Sequence, residues 1–340
     1  MSVRQVEPLV VDHLRIAFGG GREVVRGVSF TIQPGEAFGL IGESGSGKSL
    51  TCRAIIGLLP LGAQASGSIR YGKISLLDLA QRDMQHLRGS TIAMVFQDPL
   101  TALNPVLRVG DAVAQVIASH ERVDRRAVRR RTVEVMNRVG IRDAARRARA
   151  YAHQFSGGMR QRVVIAMALA AHPTLLLADE PTTALDVIVQ AGILRLLAKL
   201  RREELMSLML VSHDFGVVQG VCDRVGVMYH GELIEEGPTD DVLFHPKHPY
   251  TVGLIGSLPS ETRSTRLRSI PGTPPEGGVV VPGCAFAPRC QLATEECHRG
   301  AIPLIEVGAH HRSRCIHIDR LTELNSTSVP AHADGVNGFA

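Results

Sequence analysis

One short segment near the N-terminus constrains this chain most. It reads Gly42-Glu43-Ser44-Gly45-Ser46-Gly47-Lys48-Ser49 and fits the pattern G-x-x-x-x-G-K-[ST]. An apolar run, residues 37–41, precedes it, and a helix-like run, residues 48–59, follows. A strand, a glycine-rich loop and a helix in this order direct backbone N–H groups at one anion, and the helix N-terminus adds partial positive charge. The segment predicts a P-loop, in which Lys48 reaches the β and γ phosphates and Ser49 binds Mg²⁺.

A second segment ends in two adjacent carboxylates. It reads Thr174-Leu175-Leu176-Leu177-Ala178-Asp179-Glu180 and has the composition of a buried strand. Such a strand places Asp179 at the carboxyl edge of a sheet, where ligands of α/β proteins collect. Asp179 is predicted to hold Mg²⁺, and Glu180 to accept a proton from attacking water. Taken alone, the pair is equally compatible with the capped end of a strand.

The spacing of short apolar runs predicts an α/β fold with a mostly parallel central sheet. Runs at 10–18 and 28–33, joined by three glycines, predict an N-terminal antiparallel β subdomain. Residues 99–171 are predicted to form an Arg-rich helical insertion. The composition changes near Asp241, which predicts a main domain over 1–240, a small Cys-containing C-terminal extension over 241–324 and a disordered tail over 325–340.

Composition restricts the classes of protein to which the chain can belong. Hydrophobic residues make up 44%, charged residues 21%, and the mean hydropathy is +0.08, as in soluble globular proteins. No run approaches the roughly 18 apolar residues of a membrane helix, and the start has no signal pattern, so a cytoplasmic location is expected. The net charge of +5 is concentrated in residues 122–149, which fits either an acidic partner or a solvated helix face. The absence of Trp argues against a base-stacking platform for single strands.

A third segment offers a second anion-binding helix start. Ser156, Gly157 and Gly158 open an amphipathic run that extends to Ala171. The chain carries no second P-loop lysine and no second Asp-Glu pair. The second helix start is therefore predicted to complete the site of another subunit.

Residues 156–161, Ser-Gly-Gly-Met-Arg-Gln, resemble the signature motif of ATP-binding cassette (ABC) ATPases. In that family two cassettes enclose two ATP molecules head to tail. The resemblance implies that Gln97 senses Mg²⁺ and couples to a membrane subunit, and that Asp186 communicates across the dimer. It also implies that His213 contacts the γ phosphate and that Phe18 stacks on adenine.

The resemblance, with the residues described above, predicts an ATP-hydrolysing site. Catalytic roles are expected for Glu180, His213 and Gln97, and Mg²⁺ is expected at Ser49, Gln97 and Asp179. Water would attack the γ phosphate, with positioning and electrostatics supplying most of the rate. Because Glu180 is intact, the half-site on this chain is expected to be competent.

Cysteines cluster near the C-terminus in the pattern C-x₅-C-x₆-C-x₁₇-C. They are Cys284, Cys290, Cys297 and Cys315. This spacing leaves zinc, an iron–sulfur cluster and free thiols all open. The neighbouring histidines could substitute as ligands but are expected at the surface: His298, His310, His311 and His317. Cys52 and Cys222, the latter in an expected helix, are predicted to be small core residues.

Two segments of the C-terminal region, residues 245–251 and 282–290, resemble the extension of the ATPase subunits of dipeptide and oligopeptide importers. The resemblance extends over roughly residues 8–318 and implies a structural [4Fe–4S] cluster on the four cysteines. It also implies a second ABC ATPase subunit forming a heterodimer, two transmembrane permease subunits and an extracytoplasmic substrate-binding protein. The expected location is peripheral, on the cytoplasmic face of the inner membrane.

Two other functions compete with peptide import. One is a soluble ABC ATPase acting on nucleic acid or ribosomes, which the basic stretch allows but the shortage of aromatics and the extension oppose. No nucleic-acid partner is therefore expected. The other is an ATP-binding regulatory subunit without turnover, against which the intact Glu180 and His213 argue.

Overall fold

The structure is a computed structural model that describes residues 6–183, 185–257, 270–275, 278–279 and 281–321. Its strands are β1 (Leu9–Phe18), β2 (Arg22–Ile32), β3 (Ala37–Ile41), β4 (Ala63–Tyr71), β5 (Ile74–Ser75), β6 (Ile92–Val95), β7 (Leu175–Asp179), β8 (Ser207–Ser212), β9 (Arg224–Tyr229), β10 (Glu232–Pro238), β11 (Ile305–Gly308) and β12 (His311–Ser313).

The α-helices are α1 (Lys48–Ile55), α2 (Gln81–Leu87), α3 (Pro99–Ala102), α4 (Val109–His120), α5 (Arg125–Arg138), α6 (Ala144–Arg147), α7 (Gly157–Leu169), α8 (Val187–Glu204), α9 (Phe215–Val218), α10 (Thr239–Phe244) and α11 (Pro249–Gly256). Short 3₁₀ helices within the described ranges span Ala152–Gln154, Ala287–Arg289, Glu295–His298 and Ile318–Arg320.

The larger sheet has eight strands in the order β11-β12-β10-β9-β3-β8-β7-β6. Strands β9, β3, β8, β7 and β6 are parallel, whereas β10, β12 and β11 continue the sheet in antiparallel pairs. The parallel strands β3, β6, β7 and β8 are buried throughout, which explains their continuous apolar runs. The predicted α/β fold with a mostly parallel core is confirmed.

The smaller sheet has four strands in the order β2-β1-β4-β5, all antiparallel. Strand β2 begins at Arg22, so the predicted start of that strand, at residue 28, was too late. The sequence shows no apolar run at β4, because that strand is rich in small polar residues and much of it is exposed. Apolar residues of β1, β2 and β4 share one buried cluster with Phe38 and Leu40 of β3, which joins the two sheets.

Helix α1 ends at Ile55, earlier than the predicted end at Leu59. Gly57 has a φ of +66°, and its N–H donates to the carbonyl of Ala54 over 3.1 Å, which stops the helix. Further along the chain, the segment expected to be helical, residues 99–171, contains α3 to α7. Its apolar side chains pack into the main core cluster with residues of β7 and β8.

Part of the C-terminal region adds to the larger sheet. Strand β12 pairs with β10, with Glu235 opposite Ser313 and Glu236 opposite Arg312. The predicted domain boundary near residue 241 stays a prediction, and the predicted tail, 325–340, lies outside the described residues. Among the described helices, none combines the length and the apolar character that crossing a membrane would need.

Candidate nucleotide-binding site

The P-loop lies between the end of β3 and the start of α1. Steric constraints require glycine at two of its positions. Gly42 has a φ of +155°, and a Cβ there would lie 2.1 Å from the carbonyl oxygen of Met228. Gly47 has a φ of +99°, and its Cβ would lie 2.9 Å from Cγ2 of Val25. Both positions therefore exclude any larger residue, and the loop backbone remains open to a ligand.

Lys48 lies folded back across this loop. Its Nζ donates to the carbonyl oxygens of Gly42 and Glu43, each over 2.8 Å, and lies 3.3 Å from Oγ of Ser46. Burial lowers the pKa of Lys48 to about 8, although the neighbouring Glu180 and Asp179 oppose that shift. The ammonium is thus buried and positioned where the loop would enclose a phosphate.

Ser49 and Asp179 bring two hard oxygen ligands together. The Ser49 hydroxyl donates to Oδ1 of Asp179 over 2.8 Å, linking α1 to the end of β7. Burial raises the pKa of the Asp179 carboxyl, while the hydrogen bond from Ser49 lowers it. A hydroxyl beside a carboxylate is a donor set that suits Mg²⁺.

Glu180 is the point on which side chains from three neighbouring strand ends converge. Its Oε2 accepts from Nε2 of Gln97 over 3.1 Å and from the Thr183 hydroxyl over 2.9 Å. Nδ1 of His213 lies 3.3 Å from the same oxygen. Glu180 itself has a φ of +46°, in the left-handed region, which turns the chain sharply after β7. The family resemblance predicted roles at the nucleotide site for Gln97 and His213. It gave no role to Thr183, and the only sign of Thr183 in the sequence is its position three residues after Glu180.

Phe18, at the end of β1, lines a cavity of about 590 Å³ together with the P-loop. The loop residues that face this cavity are Glu43, Ser44, Gly45 and Ser46. Arg22, Pro274 and Pro275 also line it, and none of these three was anticipated from the sequence. An aromatic ring therefore does lie beside the phosphate loop, in a space large enough for a nucleoside.

Ser156, Gly157 and Gly158 lie at the start of α7. The Ser156 hydroxyl accepts from the N–H of Met159 over 3.4 Å, and a Cβ on Gly158 would lie 2.3 Å from Cγ1 of Val189 in α8. None of the three belongs to the described residues that line the P-loop cavity. The prediction that they complete the site of another subunit stays a prediction.

Asp186 caps the neighbouring helix, α8. Its Oδ1 accepts from the N–H of Val189 over 2.9 Å. The next two side chains, Val187 and Ile188, are 83% and 82% exposed. Two bulky apolar groups therefore face outward beside Asp186 and close to the start of α7.

The four clustered cysteines line one pocket with apolar side chains such as Phe286, Leu292 and Ile302, and with the polar side chains of Arg314, His248 and His317. Burial raises the pKa of the Cys284 thiol to about 11 and that of the Cys315 thiol to about 12. In the part of the chain that the structure describes, no group of three or more His, Cys, Asp or Glu side chains is arranged to hold a metal ion. The four thiols share one pocket, as a common ligand would require. The described side chains are not arranged to hold a metal ion, however, so the [4Fe–4S] cluster stays a prediction.

Other expectations for the cysteines and histidines had mixed outcomes. Cys52 and Cys222 are buried, as expected for core residues, but Cys222 follows α9 rather than lying in a helix. The expected surface position of His311 was wrong, since it is 3% exposed. Its Nε2 lies 2.8 Å from Oε1 of the buried Glu235, which explains why an imidazole occupies that place.

Comparison with protein families identifies two regions. Residues 25–183 match the family described as "ABC transporter", and residues 234–297 match "Oligopeptide/dipeptide transporter, C-terminal region". The first match contains the P-loop, Gln97, the start of α7 and Glu180. The second contains three of the four clustered cysteines.

Individual relatives agree with these matches. The oligopeptide transport ATP-binding protein OppD of Mycobacterium tuberculosis is 45% identical over 94% of this chain, which spans about half (53%) of that protein. The dipeptide transport ATP-binding protein DppD of Bacillus subtilis is 46% identical, over 86% of this chain and 89% of that protein. A dimeric structure of the ATP-binding cassette MJ0796, in a post-hydrolysis state bound to ADP and Pi, is 29% identical with a TM-score of 0.61, covering 68% of this chain and 98% of that one. The chain therefore belongs to the ABC transporter family, and its C-terminal part matches the C-terminal region of oligopeptide/dipeptide transporters.

Proposed function

We propose that this protein hydrolyses ATP as the energy-coupling subunit of an ABC importer for peptides. The observation that carries the proposal is the convergence of Gln97, Thr183 and His213 on one oxygen of Glu180, beside the buried Lys48. Three polar contacts would hold the carboxylate in one orientation and leave its other oxygen free to engage a water. Such positioning is the main contribution that a protein makes to phosphoryl transfer.

Each residue of the site has a distinct part in this proposal. Lys48 and the N–H groups of the P-loop would bind the β and γ phosphates, and Phe18 would stack on the base. Ser49 and Asp179, with Gln97, would hold Mg²⁺, which neutralises phosphate charge when bound. Glu180 would take the proton from water, and His213 would orient the γ phosphate.

The proposed assembly contains a second cassette. Ser156, Gly157, Gly158 and Asp186 would contact the nucleotide held by that second cassette, and the exposed Val187 and Ile188 support a contact surface at this position. The proposed partner is a different ATPase subunit, in a heterodimer. Two membrane permeases and an extracytoplasmic peptide-binding protein complete the proposed importer, with this chain on the cytoplasmic face of the membrane.

For the cysteine pocket, we infer a [4Fe–4S] cluster held by Cys284, Cys290, Cys297 and Cys315. The four thiols line one pocket, which supports a common ligand; apolar side chains line it as well, together with His248, Arg314 and His317. Thiolate ligation would require four thiols to lose their protons, and the raised pKa values of Cys284 and Cys315 mean that loading would release protons near neutral pH. Anaerobically purified protein should be brown and absorb near 400 nm; a colourless protein with stoichiometric zinc would contradict this.

The proposed function is tested by nucleotide titration and by isolation of the complex. The full chain should bind MgATP, and Lys48→Ala should weaken that binding on the order of 10²-fold, because a buried charged ligand of the phosphates is lost. Affinity isolation from membranes should recover two multi-span permeases and a second ATPase. A chain that binds no ATP, or that copurifies with nucleic acid or ribosomes in a salt-sensitive manner, would overturn the proposal.

A further inference from the structure

The P-loop receives support from the C-terminal region through one residue, Glu43. Both carboxylate oxygens of Glu43 accept from Arg289, Oε2 from Nη1 over 3.0 Å and Oε1 from Nη2 over 3.2 Å. The backbone N–H of the same residue donates to the Tyr250 hydroxyl over 2.9 Å. Arg289 and Tyr250 lie 246 and 207 positions away from Glu43 in the chain. Two distant residues thus bind a single position of the phosphate loop.

Arg289 is held rigidly. Its side chain is 5% exposed, its Nε donates to the carbonyl of Pro271 over 2.9 Å, and Nη1 also donates to the Tyr229 hydroxyl over 3.2 Å. The guanidinium lies 5.8 Å from the ring centres of both Tyr229 and Phe286. Because these contacts hold the planar guanidinium of Arg289 in place, it can keep both hydrogen bonds to the Glu43 carboxylate.

Glu43 in turn contacts Lys48, the residue proposed to bind the phosphates. Its carbonyl oxygen accepts from Nζ of Lys48 over 2.8 Å and from the N–H of Ser46 over 3.2 Å. The side chain, N–H and carbonyl of Glu43 are therefore all engaged. Glu43 also lies on the wall of the cavity beside the P-loop, where an unpaired negative charge would repel a triphosphate.

We propose that Arg289, assisted by Tyr250, is a positioning residue for ATP binding that acts through Glu43. Arg289 neutralises the Glu43 carboxylate and fixes the loop in the shape that presents Lys48 and the backbone N–H groups. Arg289 is the residue immediately before Cys290 and ends the 3₁₀ helix Ala287–Arg289, so the wall of the cysteine pocket and the P-loop form one connected unit. This proposal deepens the proposed ATPase function and rests on it.

The test measures the MgATP Kd and the steady-state ATPase constants of the full chain. Arg289→Ala should raise Kd and KM on the order of tenfold. The kcat should stay within about twofold, because Arg289 acts on the P-loop and not on the Glu180 cluster. Tyr250→Phe removes one hydroxyl and should raise Kd severalfold in the same direction. If Arg289→Ala does not fold, Tyr250→Phe still tests the proposal, because replacing Tyr by Phe hardly changes the size of the side chain.

A double-mutant cycle separates positioning from general stability. In a Glu43→Gln background no carboxylate charge remains to be neutralised, so Arg289→Ala should change Kd much less than it does in the unsubstituted chain. Arg312→Ala is the matched control, because Arg312 forms an arginine–glutamate pair with Glu236 on β10, and neither residue lines the cavity beside the P-loop. This control should alter thermal stability while leaving the MgATP Kd unchanged.

The outcomes distinguish this inference from the proposed function. If the unsubstituted chain binds MgATP and Lys48→Ala weakens that binding, the nucleotide site is real. An unchanged Kd in Arg289→Ala and in Tyr250→Phe would then overturn only the positioning role. An equal effect of Arg289→Ala in both backgrounds would also overturn it, since Arg289 would not be acting through Glu43. A chain whose MgATP binding is unaffected by Lys48→Ala would instead reject the site itself.

Discussion

Ser49 and Asp179 are joined by a hydrogen bond of 2.8 Å that connects the first turn of α1 to the last residue of β7. The helix that follows the P-loop and the strand that carries the acidic pair are thereby held together before any ligand arrives. Because the hydroxyl donates its proton to the carboxylate, its lone pairs remain available to a cation. If this pair binds Mg²⁺ as proposed, its two oxygens are already adjacent before the cation arrives.

Ser49→Ala is expected to raise the Mg²⁺ concentration that gives half-maximal ATPase activity. The substitution removes one oxygen ligand and the partner of Asp179, so we expect an increase on the order of tenfold. ATP binding measured with EDTA present provides the internal control and should change little. An unaltered Mg²⁺ dependence would show that the Ser49 hydroxyl is not a ligand.

Glu180→Gln is expected to retain ATP binding and to lose about 10²–10⁴-fold in turnover. The amide keeps the size of the carboxylate and can still accept from Gln97 and Thr183, but it cannot take a proton from water. Single-turnover hydrolysis, measured beside an equilibrium titration of ATP, separates the two effects. Turnover equal to that of the unsubstituted chain would exclude Glu180 as the base.

The pH dependence of nucleotide binding should follow Lys48. Burial lowers its pKa from 10.5 to about 8 in the free protein, and the phosphates of a bound nucleotide would raise it again. Binding near pH 8 should therefore take up about half a proton, and above that pH the Kd should rise by up to about tenfold per unit. Calorimetry in buffers of different ionisation enthalpy measures the uptake.

A matched variant distinguishes the titration of Lys48 from the titration of other groups that could change the Kd. Lys48→Arg keeps a cation that does not lose its proton in this range, so its Kd should be nearly flat between about pH 8 and 9.5. A similar slope in both proteins would mean that another group titrates. The same lowered pKa also predicts that the free energy of unfolding rises from about pH 8 towards 10.5, because the unfolded chain binds the Lys48 proton more tightly there.

Gly158→Ala is expected to lower the free energy of unfolding by about 1–3 kcal/mol, because the new methyl group would lie 2.3 Å from Cγ1 of Val189. Adding Val189→Ala should restore part of the loss. Gly192→Ala is the control: it lies inside α8 with only one atom, at 3.6 Å, near its added Cβ, and should stabilise by up to about 1 kcal/mol. Urea denaturation followed by circular dichroism measures all four proteins. Equal stabilities for Gly158→Ala and the unsubstituted chain would contradict the close packing of α7 on α8.

The sequence predicted the elements whose structure depends on residues close by in the chain. Strand β3 matches its predicted range, 37–41, because a short continuous apolar run that leads into a glycine-rich loop is typical of a buried parallel strand. Strand β4 was missed because its position depends on pairing with β1, with Leu9 opposite Tyr71. Its own residues, many of them small and polar, carry little strand propensity.

The same distinction applies to the site. The family resemblance alone predicted roles at the nucleotide for Gln97 and His213. In the structure both lie near Glu180, because each follows a strand of one parallel sheet and those strands end at the same edge. The contact of Arg289 with Glu43 spans 246 positions, and no pattern in either segment indicates the other. Long-range electrostatic contacts of this kind require the assembled tertiary structure.

The pairing of β12 with β10 limits how this chain can be divided. Glu235 and Glu236 are 0% and 1% exposed, and their side-chain partners on β12 are His311 and Arg312. A chain cut after residue 240 would leave two carboxylates without those partners and uncover a strand edge with free hydrogen-bonding groups. Such an edge is a template for self-association, so the truncated cassette should aggregate where the whole chain does not.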